Sequence, residues 1–181
     1  MQSEKTRDMM MCAMFVALIA VGAFIHIPLP NVPFTLQFLF TTLAGLLLGR
    51  KQGCMAVCVY VALGLIGVPV FSEGGGLSYI FKPSFGYLIG FAAGTYVTGL
   101  IAGDTYNQGV KRLLAANFTG LIIVYACGMV YCYIINNLYL GTPLGVWPLF
   151  VYCFLLVVPG DILLCFVAAM LAKRLIPLIK Q

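Results

Sequence analysis

The chain has 181 residues, 62% of them hydrophobic and only 8% charged, with a mean hydropathy of +1.06. Soluble domains carry about 25% charged residues, so a water-soluble fold is excluded, because it would have nowhere to put this apolar excess. The net charge of +5 is spread along the chain in basic pairs and marks no face for nucleic acid.

The first apolar run, 9–25, follows Lys5 and Arg7. It is longer than a signal-peptide core of roughly 7–15 residues, and His26-Ile27-Pro28-Leu29-Pro30 is a poor cleavage sequence. A retained helix is expected over about 8–26, ending before Pro28, Pro30 and Pro33. Two further helices are predicted at about 35–49 and 52–67; both are short for spans, so tilt or local thinning is expected. A polar, Gly-rich segment, 67–84, separates them from helices at about 85–103, 111–138 and 146–173, the last with Pro159 inside it. Spans need roughly 17–25 apolar residues each, so the chain is filled by a single six-helix domain over 1–181.

The basic residues fix the expected orientation. Lys5, Arg7, Arg50, Lys51, Lys111, Arg112, Lys173, Arg174 and Lys180 fall on one side of six crossings, and only Lys82 falls on the other. The positive-inside rule then places both N and C termini in the cytoplasm. The predicted fold class is an all-α integral membrane protein with six transmembrane helices. Five or seven crossings would scramble the charge separation.

Three loops remain outside, at 27–34, 67–84 and 138–146. Only the middle one has polar variety, with Ser72, Glu73, Gly74, Gly75, Gly76, Ser78, Tyr79 and Lys82. Its glycines admit backbone conformations closed to other residues, which suits either a lid over a ligand or a plain connector. Asp161 stands near the middle of the last helix. A carboxylate there costs about 2.5–3.5 kcal/mol on insertion scales, and the membrane runs hold no Lys or Arg to pair with it. It is expected to meet N–H donors of a ligand, or else a tyrosine or backbone group of a neighbouring helix. Pro159 and Gly160 just before it open the helix to close approach.

Gly86, Gly90 and Gly94 form a smooth stripe for helix packing, with Tyr87 and Phe91 beside it. Ala13, Ala17 and Ala20 give the first helix a second small-residue face, whose partner is either internal or another subunit. His26 and Trp147 suit interfacial anchors. The seven cysteines, all within or beside apolar runs, read as small buried hydrophobes, with no metal set of recognised spacing. A GxxxxGK[ST] loop is absent from the sequence, so ATP hydrolysis by this chain is not expected.

At Gly67-Val-Pro-Val-Phe71-Ser-Glu-Gly-Gly75 the sequence resembles the BioY family, the biotin-specific S components of energy-coupling-factor (ECF) transporters. The likeness continues through Lys82-Pro83-Ser84-Phe85-Gly86-Tyr87-Leu88-Ile89-Gly90-Phe91 and returns at Pro159-Gly160-Asp161. It also includes Pro33-Phe34-Thr35-Leu36-Gln37 and Ala13-x-x-x-Ala17. Pro83-Ser84-Phe85-Gly86-Tyr87 stands where the family usually has Pro-Thr-Gly-Gly-Tyr, and Leu164 where many members have a lysine.

The resemblance implies a multi-pass protein of the bacterial cytoplasmic membrane that captures biotin from outside. It would work with a transmembrane coupling subunit and a pair of ATPases, docking through Ala13, Ala17 and Ala20. Biotin offers two ureido N–H donors, an apolar bicycle and a carboxylate tail. The site residues implied are Asp161 for the ureido group, Tyr87 and Phe71 for the bicycle and Lys82 for the tail. Gln37, Thr35, Gly75 and Tyr79 are further candidates. Neither cofactor nor metal is implied. Other readings are an S component for a different vitamin and, from another class, an intramembrane enzyme. The enzyme would need a nucleophile–base pair or metal set, and one edge histidine with no second buried acid argues against it.

Overall fold

A computed structural model describes residues 2–29, 32–103, 109–142 and 144–179. Pro30, expected to help end the first helix, and Lys180, counted among the basic-side residues, lie outside them. Helix α1 (Gln2–Phe24) is followed by a two-residue antiparallel ladder, β1 (His26–Ile27) with β2 (Phe34–Thr35). This ladder is the one departure from helix among the described elements. It pairs backbone groups of a Pro-rich turn that cannot continue the helix. Then come α2 (Gln37–Ile66), a 3₁₀ turn (Leu77–Phe81), α3 (Phe85–Ala102), α4 (Val110–Ile134), α5 (Val146–Phe150) and α6 (Val158–Ile179).

Among the described residues, five helical stretches are long and apolar enough to cross a membrane: Lys5–Phe24, Gln37–Ile66, Phe85–Ala102, Val110–Tyr139 and Val146–Ile179. The second of these is not straight. Gly49 sits at φ 80° and ψ 178°, a left-handed backbone that favours glycine. A Cβ on Gly53 would lie 2.7 Å from the Ala44 carbonyl oxygen. In a straight helix residues nine apart stand about 13 Å apart, so the chain has doubled back at Gly49. The helices expected at 35–49 and 52–67 are the two arms of this hairpin.

The last stretch differs from a single helix over 146–173. It starts as α5, passes through a π-helical turn (Val151–Leu155) and restarts as α6 beyond residues 156–157. Pro159 falls in the first turn of α6, where its missing N–H costs little. A second π turn (Ile135–Tyr139) ends α4. Of the cysteines, all expected to be buried, Cys132, Cys153 and Cys165 are, but Cys12, Cys54 and Cys127 are half-buried and Cys58 is exposed.

The glycine stripe of α3 packs on α4. Cβ atoms added at Gly90 and Gly94 would meet Val124 Cα at 2.9 Å and the Gly120 oxygen at 3.0 Å. Polar side chains between helices bond backbone carbonyls. Thr95 donates to Thr41 O at 3.1 Å, Thr98 to Ala116 O at 3.3 Å and Asn117 to Cys165 O at 2.8 Å. The hairpin turn closes against α3, where Gly99 meets the Arg50 backbone. Gln52 donates to Asp8 at 2.6 Å. These contacts gather a basic end, opposite the end that carries residues 67–84.

Gly90→Ala is expected to cost about 1–3 kcal/mol through overpacking on Val124. Thermal unfolding in detergent should show a Tm lower by roughly 2–12 °C; an unchanged Tm would mean that the α3–α4 seam is looser than this geometry requires.

Candidate functional site

Asp161, one turn into α6, is 6% exposed and faces a cavity rather than the lipid. Because α6 restarts just before it, the carboxylate lies near a helix start, where the backbone N–H groups favour negative charge. Tyr125 on α4 donates to Asp161 Oδ2 at 2.6 Å, and this is the carboxylate's one hydrogen bond among the described residues. An ionised carboxylate accepts about four hydrogen bonds, so most of its capacity is directed at the cavity. Among the described residues, no Lys or Arg lines that cavity.

The cavity has a volume of about 40 Å³, well below the roughly 300–1,000 Å³ of small-molecule pockets. Its floor and walls are Tyr87, Leu88 and Phe91 from α3 with Val124 and Tyr125 from α4. Val32, Pro33, Thr35 and Gln37 approach from the β1–β2 turn and the start of α2, and Ser72, Tyr79 and Ser84 from the segment 67–84. The aromatic walls are held from behind. Tyr87 stands edge-on to Tyr125, with ring centres 5.9 Å apart, and donates to Cys153 O at 2.9 Å. Gln37 donates from Nε2 to the Tyr60 hydroxyl at 2.7 Å, and Tyr60 donates to Val70 O at 3.0 Å.

Of the residues expected from sequence, Asp161, Tyr87, Gln37, Thr35 and Tyr79 come together here. Phe71, Gly75 and Lys82 do not line the cavity. Phe71, 1% exposed, is a plug beneath the segment: its ring centre lies 4.4 Å from that of Tyr79 and 5.5 Å from that of Tyr60. A Cβ on Gly64 would fall inside the Phe71 ring, so α2 needs glycine there. A Cβ on Gly75 would meet Val68 O. Lys82 Nζ pairs with Glu73 Oε2 at 3.0 Å, donates to Glu73 O at 3.1 Å and lies 5.0 Å from the Tyr79 ring centre. Both members of the pair are about half-exposed. Residues missed from sequence are Tyr125, Ser72 and Ser84; the Tyr79 hydroxyl is within 3.3 Å of both serine hydroxyls.

The segment 67–84 is therefore folded down over the cavity. Gly76 N–H donates to Gly64 O at 2.7 Å, Phe71 and Gly74 form a β-bridge, and Tyr131 donates to Ile80 O.

A family model, the BioY family, matches residues 1–181. The chain belongs to the BioY family. A BioY protein of Lysinibacillus sphaericus, described as a probable biotin transporter, is 43% identical over 175 residues, 97% of this chain and 89% of that one. The biotin transporter BioY of Thermotoga maritima is 39% identical over 171 residues, 93% of this chain and 95% of that one. A crystal structure of the S component for biotin of an ECF-type ABC transporter superposes with a TM-score of 0.80 at 25% identity, covering 100% of this chain and 99% of that one. The BioY residues expected from sequence thus sit on an S-component fold, and the chain is a multi-pass cell-membrane protein.

Phe71→Ala should release the folded segment. Emptying a buried Phe site costs about 3–5 kcal/mol, whereas Glu73→Gln breaks a half-exposed pair that is worth about 0–1 kcal/mol. Hydrogen exchange at 67–84 is expected to speed up far more in Phe71→Ala than in Glu73→Gln; equal effects would assign the closure to the ion pair.

Proposed function

We propose that this BioY protein is the biotin-binding S component of an ECF-type uptake transporter, capturing biotin at the outer side and delivering it together with a coupling subunit and a pair of ATPases. The observation that carries this reading is a buried carboxylate with one internal donor, aimed into a cavity without cations. Such a group suits a neutral ligand that presents N–H donors, as the ureido ring of biotin does. Support for the vitamin itself comes from the 43% identical relative named for biotin and from the matching S-component structure.

In this reading Asp161 accepts the ureido N–H bonds while Tyr87, Leu88 and Phe91 cover the bicycle. Gln37, Thr35 and Tyr79 remain polar candidates at the rim. Lys82 reaches the tail carboxylate by giving up Glu73, an exchange between half-exposed partners that costs little. Phe71 and Gly75 act by shaping the lid rather than by touching the ligand. The lid, 67–84, must lift for entry, because about 40 Å³ holds no more than a few waters.

The Gly49 reversal supports a reading of six crossings, and the basic residues gathered at one end support both termini on the cytoplasmic side. Ala13 and Ala17 are exposed and Ala20 is half-buried. Small side chains left open on α1 favour docking of the coupling subunit.

Hydrogen bonds to a charged group are worth about 1.5–3 kcal/mol each, or one to two decades in affinity. Asp161→Asn, which keeps the shape but turns one oxygen into a donor, is expected to weaken biotin binding at least tenfold (about 1.4 kcal/mol) by titration of the purified protein. Lys82→Ala should weaken it less. Wild-type affinity in Asp161→Asn would make the aspartate structural, a partner of Tyr125 only. Replacing Ala13 and Ala17 by Trp should abolish co-purification with the coupling subunit and leave biotin affinity unchanged; an intact complex would remove α1 from the docking surface.

A further inference from the structure

The basic end carries a second cavity system, unrelated to the site around Asp161. An apolar groove of about 510 Å³ lies between α1 and the second arm of α2. Met9, Cys12, Val16, Met55 and Val59 line it, and Lys5 sits at its end. The Gln52–Asp8 hydrogen bond, 2.6 Å long, stands beside Lys5 in the same lining. Gln52 also lines a hollow with Arg50 and Lys51, and both Gln52 and Asp8 line another with Arg7.

Two features say what fits this groove. The first is charge. Asp8 is held by Gln52, while Lys5, Arg7, Arg50 and Lys51 make no hydrogen bond or ion pair among the described residues. Lys5 lines the groove itself, and the hollow of Arg50 and Lys51 adjoins it through Gln52, so among the described residues three cations flank one bridged carboxylate at this end. The second is depth. From Lys5 to Val16 the helix rises about 16 Å, close to half of the roughly 30 Å hydrocarbon thickness. The apolar lining on α1, Met9 to Val16, covers about 10 Å of that rise, enough to hold the upper part of one acyl chain within a single leaflet.

We propose that this groove is a binding site for one anionic phospholipid of the leaflet at the basic end. Its phosphate sits among Lys5, Arg50 and Lys51, and one acyl chain lies along Met9, Cys12, Val16, Met55 and Val59. Basic pockets between transmembrane helices select anionic headgroups by this chemistry. Ala13 also lines the groove, so the lipid and the coupling subunit contend for one face of α1. That competition rests on the proposed function, whereas the lipid site does not.

The test is native mass spectrometry of the full chain released from detergent holding equal amounts of phosphatidylglycerol and phosphatidylcholine with identical chains. One phosphatidylglycerol should be retained, favoured by about fivefold or more, the factor expected of a single lysine near a charged surface. Lys5→Gln with Lys51→Gln should remove the preference. Met55→Trp, which fills the groove and leaves the charges alone, should reduce retention of both lipids. Biotin titration of each variant reports folding and tests the function separately, since none of these residues belongs to the Asp161 site. Equal retention of the two lipids by the wild-type chain, or an undiminished preference in the double lysine variant, overturns the proposal.

Discussion

Everything in this fold depends on one constraint: hydrocarbon supplies no hydrogen-bond partners, so each polar group inside it must find one within the protein. The helices satisfy their own backbones. The few polar side chains between them, Thr95, Thr98, Asn117 and Tyr87, donate to carbonyls of neighbouring helices. Such bonds average about 0.6 kcal/mol in membrane proteins, so their main effect is to fix which helix faces which. Two acceptors stand apart: Asn117 Oδ1 has no partner among the described residues, and Asp161 defines the site. A carboxylate donates nothing when ionised, and Tyr125 alone among the described residues donates to it. Its unmet acceptor capacity cannot be turned to lipid, so the helices leave a cavity in front of it.

The same constraint explains why so much of the architecture was legible in the sequence. Apolar runs of spanning length are enforced by the bilayer, and the basic pair after Gly49 marked the reversal that the backbone then makes at φ 80°. Gly90 and Gly94 were readable as a packing stripe because only a missing side chain allows α3 to lie against Val124 and Gly120.

What was not legible depends on contacts far apart in sequence. Tyr125 meets Asp161 across 36 positions, and tyrosines are too common in such helices to single one out. Phe71 was read as a wall of the site, yet it fills the space left by Gly64, a pairing visible only once the lid is folded. Lys82 looked like a lone cation because its partner Glu73 depends on the same lid. The π turn within 146–173 has no signature in hydropathy, since residues 150–158 are apolar at every position, however the turn is wound.

The small cavity has a kinetic consequence. With 67–84 as the proposed lid, a solute the size of a vitamin enters only the fraction of molecules in which it is raised, so the apparent dissociation constant is the intrinsic one divided by that fraction. Uptake is then limited by how often Phe71 leaves its seat on Gly64, and residence time by how rarely it does so again once the space is filled. A subunit built this way exchanges slowly with the outside. On the proposed function, unloading at the basic end falls to the work of the coupling subunit and its ATPases.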